Sequence, residues 1–225
     1  MKKLSFLIAP ILLSFIIIMS SATPVNGDKQ TERLHSASNV LKDFGAMKEG
    51  FAHKLIAKYE GIVIIPKTIN AGLVVGAKRG KGVAIVKLPD GRWSDPVFVT
   101  ITGGSIGAQI GVQSVDLILV FKHKGALAKV RNGDVTIGGD LAATAGPVGR
   151  AASANTDYKF EAEVYSYSRS RGLFAGITVN GSSLAIDKDS NHEYYGEGMS
   201  ARDIFETGKS NTVAVKHLKE TLASL

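Results

Sequence analysis

The chain has 225 residues, of which 44% are hydrophobic and 21% charged, a composition that fits a folded globular protein and excludes a disordered one. It contains no cysteine, which excludes disulfides, thiolate metal ligands and lipid attachment through a cysteine. Its 27 basic and 20 acidic residues give a net charge of +7, and 25 glycines against 6 prolines are more typical of β-rich chains than of helix bundles.

The first residues have the pattern of a secretory signal peptide. Two lysines precede an apolar run over residues 4–19, and small residues follow at 20–22. The run is shorter than the roughly 20 residues that a helix needs to span a bilayer. We predict cleavage after Ala22, so that residues 1–22 are a signal peptide and the chain is exported, either periplasmic or secreted. An uncleaved N-terminal anchor is the alternative.

The rest of the chain, residues 23–225, divides into three zones of different periodicity. Residues 28–60 have apolar side chains at helical spacing, residues 61–188 alternate short β-branched runs with Gly-rich turns, and residues 199–225 return to a helical pattern. These patterns predict a single α+β, β-rich domain. We expect an antiparallel β-sandwich or barrel-like core with amphipathic helices at the N- and C-terminal ends.

The second N-terminal helix carries one apolar stripe, formed by Phe51, Leu55 and Tyr59, with Lys54 and Lys58 beside it. Such a stripe packs either on the core of the domain or on a membrane surface. We favour the core for Leu55, because a fully exposed stripe endangers the solubility of an exported protein. The two lysines then keep their ammonium groups in water, which is compatible with peripheral membrane attachment.

Turn signals divide the β zone. Two Asn-Gly pairs, at 132–133 and 180–181, predict hairpins, and the first pair separates predicted strands over 128–130 and 135–137. Residues 187–191 look like a fragment of a calcium loop, but the downstream Gly and Glu of such a loop are missing, so we expect a surface turn.

The excess of positive charge belongs to the β zone. Lys78, Arg79 and Lys81 fall together in a predicted hairpin loop between two β-branched runs, and Lys122 and Lys124 follow another apolar strand. Two interpretations of the first cluster stay open: a solvated loop that keeps a sheet edge soluble, and a phosphate-binding patch.

Three arginines are further candidates for binding phosphate, because a guanidinium group can hold phosphate in a bidentate fork. Arg150 ends a Gly-Pro-Val-Gly turn, and Arg169 and Arg171 are assigned to another turn. A salt bridge that fixes its loop is the alternative for Arg150. Asp116 lies in a buried apolar run and needs a partner there, and we expect it to bond a turn backbone.

Known catalytic and metal-binding patterns are missing from the sequence. The five histidines are scattered, and the chain has neither a P-loop nor a nucleophile elbow. The single Trp and the lack of aromatic residues among the basic ones make nucleic acid a poor fit. The sequence therefore predicts no metal or cofactor and offers no readable catalytic site, and a hydrolase of unreadable site is a distant alternative.

Several short motifs follow one another in a fixed order. They are Trp93-Ser94 with Pro96, Gly107–Gly111 with Asp116, Gly146–Arg150, Tyr165–Ser170, Gly172–Gly176 and Tyr194–Gly196. In their order and number these motifs resemble the SYLF domain family, and the likeness covers roughly residues 40–210.

The resemblance implies a non-enzymatic lipid-binding module. Eukaryotic members are associated with phosphoinositides through a basic, amphipathic surface that includes the N-terminal part of the domain, and some are associated with actin. Together with the signal peptide, the resemblance indicates a bacterial exported member that binds an anionic lipid membrane surface. A structural or adaptor domain of the cell envelope, with unknown protein partners, is the alternative. The residues predicted to bind lipid are Lys54, Lys58, Lys78, Arg79, Lys81, Arg150, Arg169 and Arg171.

Overall fold

The computed structural model describes residues 27–47, 51–72, 75–106, 111–132, 135–147, 162–207 and 210–225. The helices in these stretches are α1 (Gly27–Gly45), α2 (Phe51–Lys58), α3 (Lys124–Asn132), α4 (Lys188–Tyr195), α5 (Ala201–Thr207) and α6 (Val213–Ala223). The strands are β1 (Gly61–Gly72), β2 (Val75–Val86), β3 (Val97–Ile106), β4 (Gly111–Phe121), β5 (Val135–Ile137), β6 (Ala143–Ala145), β7 (Val164–Ser170), β8 (Leu173–Gly176) and β9 (Ser182–Ile186). Within this described part of the chain, no helix has the length and apolar character needed to cross a membrane.

All nine strands belong to one sheet, whose order is β5-β9-β3-β2-β1-β4-β7-β6, with β8 paired to β7. Every pair is antiparallel except β6 with β7. The sheet curls into a nearly closed barrel with helices at both ends of the chain, which confirms the predicted fold class.

Each face of the sheet buries its own apolar cluster, because successive side chains of a strand point to opposite faces. In β1, Ile62 and Ile64 pack under α1, α2 and α6, whereas Val63 and Ile65 point into the barrel. We call the first side the helix face and the second the interior face. A sheet buried on both faces explains the continuous apolar runs of its central strands.

Two of the three residues of the predicted stripe are part of the core, and the side chain of Phe51 lies outside the described part of the chain. Leu55 is 0% exposed and Tyr59 is 1% exposed, and both pack in the cluster beneath the helices. The preference for core over membrane is therefore confirmed for Leu55. Burying a leucine side chain completely stabilises a fold by roughly 1.5–3 kcal/mol.

A bulge interrupts β1 near its middle. The register with both neighbouring strands shifts by one residue between Ile65 and Thr68, where Lys67 has a φ of 50°. The backbone N–H of Lys67 donates to the Asp116 carboxylate over 2.9 Å. Asp116 thus bonds backbone as expected, although in a bulge rather than in a turn. After the bulge it is the odd-numbered residues, such as Ile69, that share the helix face.

The predicted hairpin loop over residues 78–82 is wrong, because these residues lie inside the continuous strand β2 and pair with β1 and β3. Its glycines serve a close approach of two strands and do not mark a turn. Gly80 and Gly82 are buried, and a Cβ on Gly82 would lie 2.7 Å from the Cα of Ile65.

Three more local predictions are wrong. Residues 128–130 belong to α3, whose Leu127 and Val130 pack at helical spacing into the interior cluster. Residues 187–191 contain the start of α4, which Asp187 caps by accepting a backbone hydrogen bond. The second Asn-Gly pair does not close a hairpin, since β8 pairs with β7 whereas β9 pairs with β3 and β5.

Candidate functional site

The predicted lipid-binding residues do not share one surface. Lys78 lies on the interior face of β2, whereas Arg79 and Lys81 lie on the helix face, because side chains alternate along a strand. Lys78 is half-buried, and burial lowers the pKa of its ammonium group. Arg150 lies outside the described residues.

Lys81 is held in an ion-pair cluster around the buried Asp187. Its Nζ donates to the Asp187 carboxylate over 2.9 Å, Arg33 donates to the same oxygen over 3.1 Å, and the Ser190 hydroxyl donates over 2.8 Å. Burial raises the pKa of Asp187, but the hydrogen bonds from Lys81 and Ser190 outweigh it and lower the pKa overall. Asp187 therefore fastens β2, through Lys81, and α1, through Arg33, to the start of α4.

Arg169 is also used within the fold. It lies in strand β7, not in a turn, and its Nε and Nη2 donate to the Asp116 carboxylate over 2.9 and 2.6 Å. It also donates to Asp43 at the end of α1, and its guanidinium lies 5.7 Å from the ring centre of Phe174. Arg171, in contrast, is exposed at the turn between β7 and β8.

Glu60 brings three strand ends together at one end of the barrel. Its N–H donates to the carbonyl of Phe121 over 3.0 Å, and its carbonyl accepts from the N–H of Lys87 over 2.7 Å. Its carboxylate accepts from the N–H of Lys124 over 3.0 Å. The start of β1 is thereby fixed beside the end of β2 and the end of β4.

Basic side chains crowd this end of the barrel, which we call the basic end. They are Lys54, Lys58, Lys87, Arg92, Lys122 and Lys124. Lys87 and Lys122 are partly buried, and the other four are exposed. Among the described residues, these six outnumber the acidic residues that lie between them, which are Glu60, Asp90, Glu163 and Glu206.

Of the predicted binding residues, only Lys54 and Lys58 belong to the basic end. The sequence patterns indicated Lys122 and Lys124 as a charge cluster, but they did not single out Lys87 or Arg92. The available signal was a basic residue directly after each of two apolar strands, Lys87 after β2 and Lys122 after β4. The role of the remaining predicted residues in lipid binding stays a prediction.

Two clefts flank the connection between β2 and β3 at the basic end. The first, of about 530 Å³, lies between this connection, α2 and α6, and its lining includes His53 and Trp93. The second, of about 460 Å³, lies between the same connection, α3 and α5, and its lining includes Pro89 and Phe205. Lys87 lines both clefts.

Comparison with known proteins shows to which family this chain is related. Residues 102–225 match the Ysc84 family, described as "Las17-binding protein actin regulator". The chain is 33% identical over 214 residues to SH3 domain-containing YSC84-like protein 1 of Bos taurus and of Homo sapiens, in alignments that cover 92% of this chain and 61% of each relative. It is 31% identical over 177 residues to Protein YSC84 of Saccharomyces cerevisiae, covering 75% of this chain and 38% of that protein.

The chain belongs to the Ysc84 family, which is the SYLF domain family that its motifs resemble. It spans about three-fifths of the length of the mammalian relatives. The family description names binding and regulation, and the mammalian relatives are named for an SH3 domain, which supports a non-enzymatic, adaptor-like domain. Within the described stretches, no group of three or more His, Asp or Glu side chains is placed to hold a metal ion.

Proposed function

We propose that this protein is a non-enzymatic binding domain whose basic end attaches to anionic lipid surfaces. The observation that carries the proposal is the convergence of basic side chains from α2 and from the ends of β2 and β4 on one end of a rigid barrel. Each Lys or Arg near an anionic membrane contributes attraction of about 1 kcal/mol. The fold holds these charges in place, so attachment does not require a segment to become ordered first.

The buried stripe of α2 defines how this attachment works. Leu55 and Tyr59 already pack in the core and are not available for insertion into lipid. The exposed Lys54 meets the membrane through charge alone, and binding is therefore sensitive to salt, because exposed charges are screened over about 8 Å at physiological ionic strength.

Vesicle flotation tests this proposal. We expect the protein to float with vesicles of phosphatidylcholine and phosphatidylglycerol, not with phosphatidylcholine alone, and to dissociate as the salt concentration rises. Lys54→Ser with Lys124→Ser should weaken binding about tenfold or more. The matched control is Lys42→Ser with Lys188→Ser, which removes the same charge from exposed positions on α1 and α4. An equal loss in both double variants, or salt-insensitive binding to neutral vesicles, contradicts the proposal.

A second candidate function is contact with a protein partner. On the helix face, beyond the bulge, Ile69 is 52% exposed and Val112 on the neighbouring strand is 77% exposed. The two side chains lie on adjacent strands of one face, and an apolar patch exposed in this way is a candidate for contact with a partner. The names of relatives point to Las17 and actin as partners of those proteins.

Co-sedimentation with actin filaments, and binding to purified Las17, tests this candidate. We expect Ile69→Ser with Val112→Ser to abolish an interaction that Leu173→Ser leaves intact, since Leu173 is equally exposed on another strand. If the unaltered protein binds neither partner, this candidate is wrong for both of them.

A further inference from the structure

The first cleft at the basic end combines positive charge with an apolar floor. Its volume of about 530 Å³ lies in the range of small-molecule sites, roughly 300–1,000 Å³. The lining side chains that matter here are His53, Lys87, Arg92, Lys219, Trp93 and Leu222. The first four are basic, the last two are apolar, and no described residue that lines the cleft is acidic.

Lys87 is the central cation of this cleft. Its ammonium lies 5.2 Å from the centre of the Trp93 ring and donates to the carbonyl of Ile56 over 3.2 Å. An ammonium has three N–H donors, and the bond to Ile56 uses one of them. The ammonium of Lys87 is thus held beside the Trp93 ring, and its other N–H groups can donate to a ligand.

The lysine and arginine that line the cleft beside Lys87 are each paired with an aspartate. Lys219 donates to the buried Asp95 over 2.5 Å, and Arg92 pairs with Asp90 over 2.8 Å in an exposed position. His53 is exposed on α2, one turn before Ala57. Lys87 and His53 are accordingly the groups best placed to meet an anion, and Arg92 lies at the rim.

We propose that this cleft binds one molecule of an amphiphilic phosphate, with its phosphate against Lys87 and His53 and its alkyl chain along Trp93 and Leu222. A phosphate head matches several convergent donors, and the apolar floor matches a short hydrocarbon chain. The inference goes beyond attachment to a surface, because the cleft takes a single molecule in the absence of a bilayer.

Trp93 makes the test direct, since it is the only Trp of the chain and lines the cleft. We expect octyl phosphate, used below its micelle concentration, to change the fluorescence of Trp93 in a saturable way. Inorganic phosphate and octanol serve as the two halves of the ligand, and each should bind at least tenfold more weakly. A response to octanol equal to that to octyl phosphate, or no saturable response to octyl phosphate, overturns the proposal.

Two variants locate the phosphate. Lys87→Met and His53→Gln should each raise the Kd for octyl phosphate, the first at least tenfold, whereas Lys188→Met, at an exposed position on α4, should not change it. Calorimetric titration accompanies fluorescence for Lys87→Met, because the lost ammonium itself alters the surroundings of Trp93. His53 is exposed, so its variant should fold even if Lys87→Met does not, and an unchanged Kd in a folded variant contradicts the assignment of that residue.

The two proposals fail separately. The double variant Lys54→Ser with Lys124→Ser changes residues that do not line this cleft. If it loses vesicle binding and keeps the Kd for octyl phosphate, both proposals stand. In the unaltered protein, vesicle binding without octyl phosphate binding removes only the cleft proposal, and octyl phosphate binding without vesicle binding removes only the surface proposal.

Discussion

Lys81 and Asp187 are joined by a hydrogen bond of 2.9 Å that connects the middle of β2 to the start of α4. Asp187 is 7% exposed and also accepts from Arg33 of α1, so one carboxylate holds three elements of the fold together. A residue that the sequence indicated as a headgroup ligand thus has a structural bond as well.

Removing the Asp187 charge should destabilise the fold. We expect Asp187→Asn to lower the free energy of unfolding by about 3 kcal/mol, because it leaves two cations facing a neutral amide in a buried position. Lys81→Met is the matched control and should cost less than about 1 kcal/mol, since the Lys81 side chain is 48% exposed and Arg33 remains. Urea titration measures both values, and equal losses contradict this account of the cluster.

The same carboxylate predicts a loss of stability in acid. The pKa of Asp187 is lower in the folded protein than its unfolded value of about 3.9. Its charge therefore stabilises the fold above that pH, and this contribution is lost as the pH falls through the folded pKa. Urea midpoints between pH 3 and pH 7 should decrease toward pH 3, and more steeply in the unaltered protein than in Asp187→Asn. Equal slopes contradict the prediction.

Neighbouring positions on α2 separate folding from lipid binding. Leu55→Ala should cost about 2–5 kcal/mol of stability, because the Leu55 side chain is fully buried. The folded fraction of this variant should still bind anionic vesicles. Lys54→Ala, at the adjacent exposed position, should change stability by less than about 0.5 kcal/mol and weaken vesicle binding. Thermal melts and flotation of the two variants make the comparison, and an unchanged melt of Leu55→Ala contradicts the core assignment.

Removing the charge of Lys78 should stabilise the fold. Burial lowers the pKa of its ammonium, which means that the interior face penalises the charge. We expect Lys78→Met to raise the free energy of unfolding measured by urea titration by only about 0.5 kcal/mol, because the ammonium is partly exposed and water screens its charge. Arg79→Met, at the next and exposed position, should have little effect. A destabilised Lys78→Met variant would show that the ammonium has a favourable partner.

Export remains a prediction from the first residues of the sequence. Protein recovered from its native compartment should begin at Thr23, which N-terminal sequencing determines directly. A cytosolic protein that retains Met1 contradicts both cleavage and export.

Features set by neighbours along the chain were predictable. The stripe of Leu55 and Tyr59 repeats at helical spacing, and the structure buries both residues. Features set by distant partners were not predictable. Gly82 has the local context of a turn, but it lies in a strand because Ile65 of β1 approaches it closely.

The functional surface shows the same division between local and distant causes. The sequence displays Lys87 and Lys124 after apolar strands, but their proximity depends on Glu60, which bonds to the backbone of both. Lys81 was grouped with its sequence neighbours because its partner Asp187 lies 106 positions further along the chain. The order of strands in the sheet brings such residues together, and no local sequence pattern predicts that order.

The bulge at Lys67 decides which side chains of β1 lie on each face of the sheet beyond it. Because the bulge adds one residue, Ile69 stands on the same side of the sheet as the even-numbered residues before it, and Asn70 turns to the other side. Deleting a single residue here would exchange the faces on which these two side chains lie. An insertion or deletion at this point therefore decides whether Ile69 or Asn70 lies on the helix face at the end of β1.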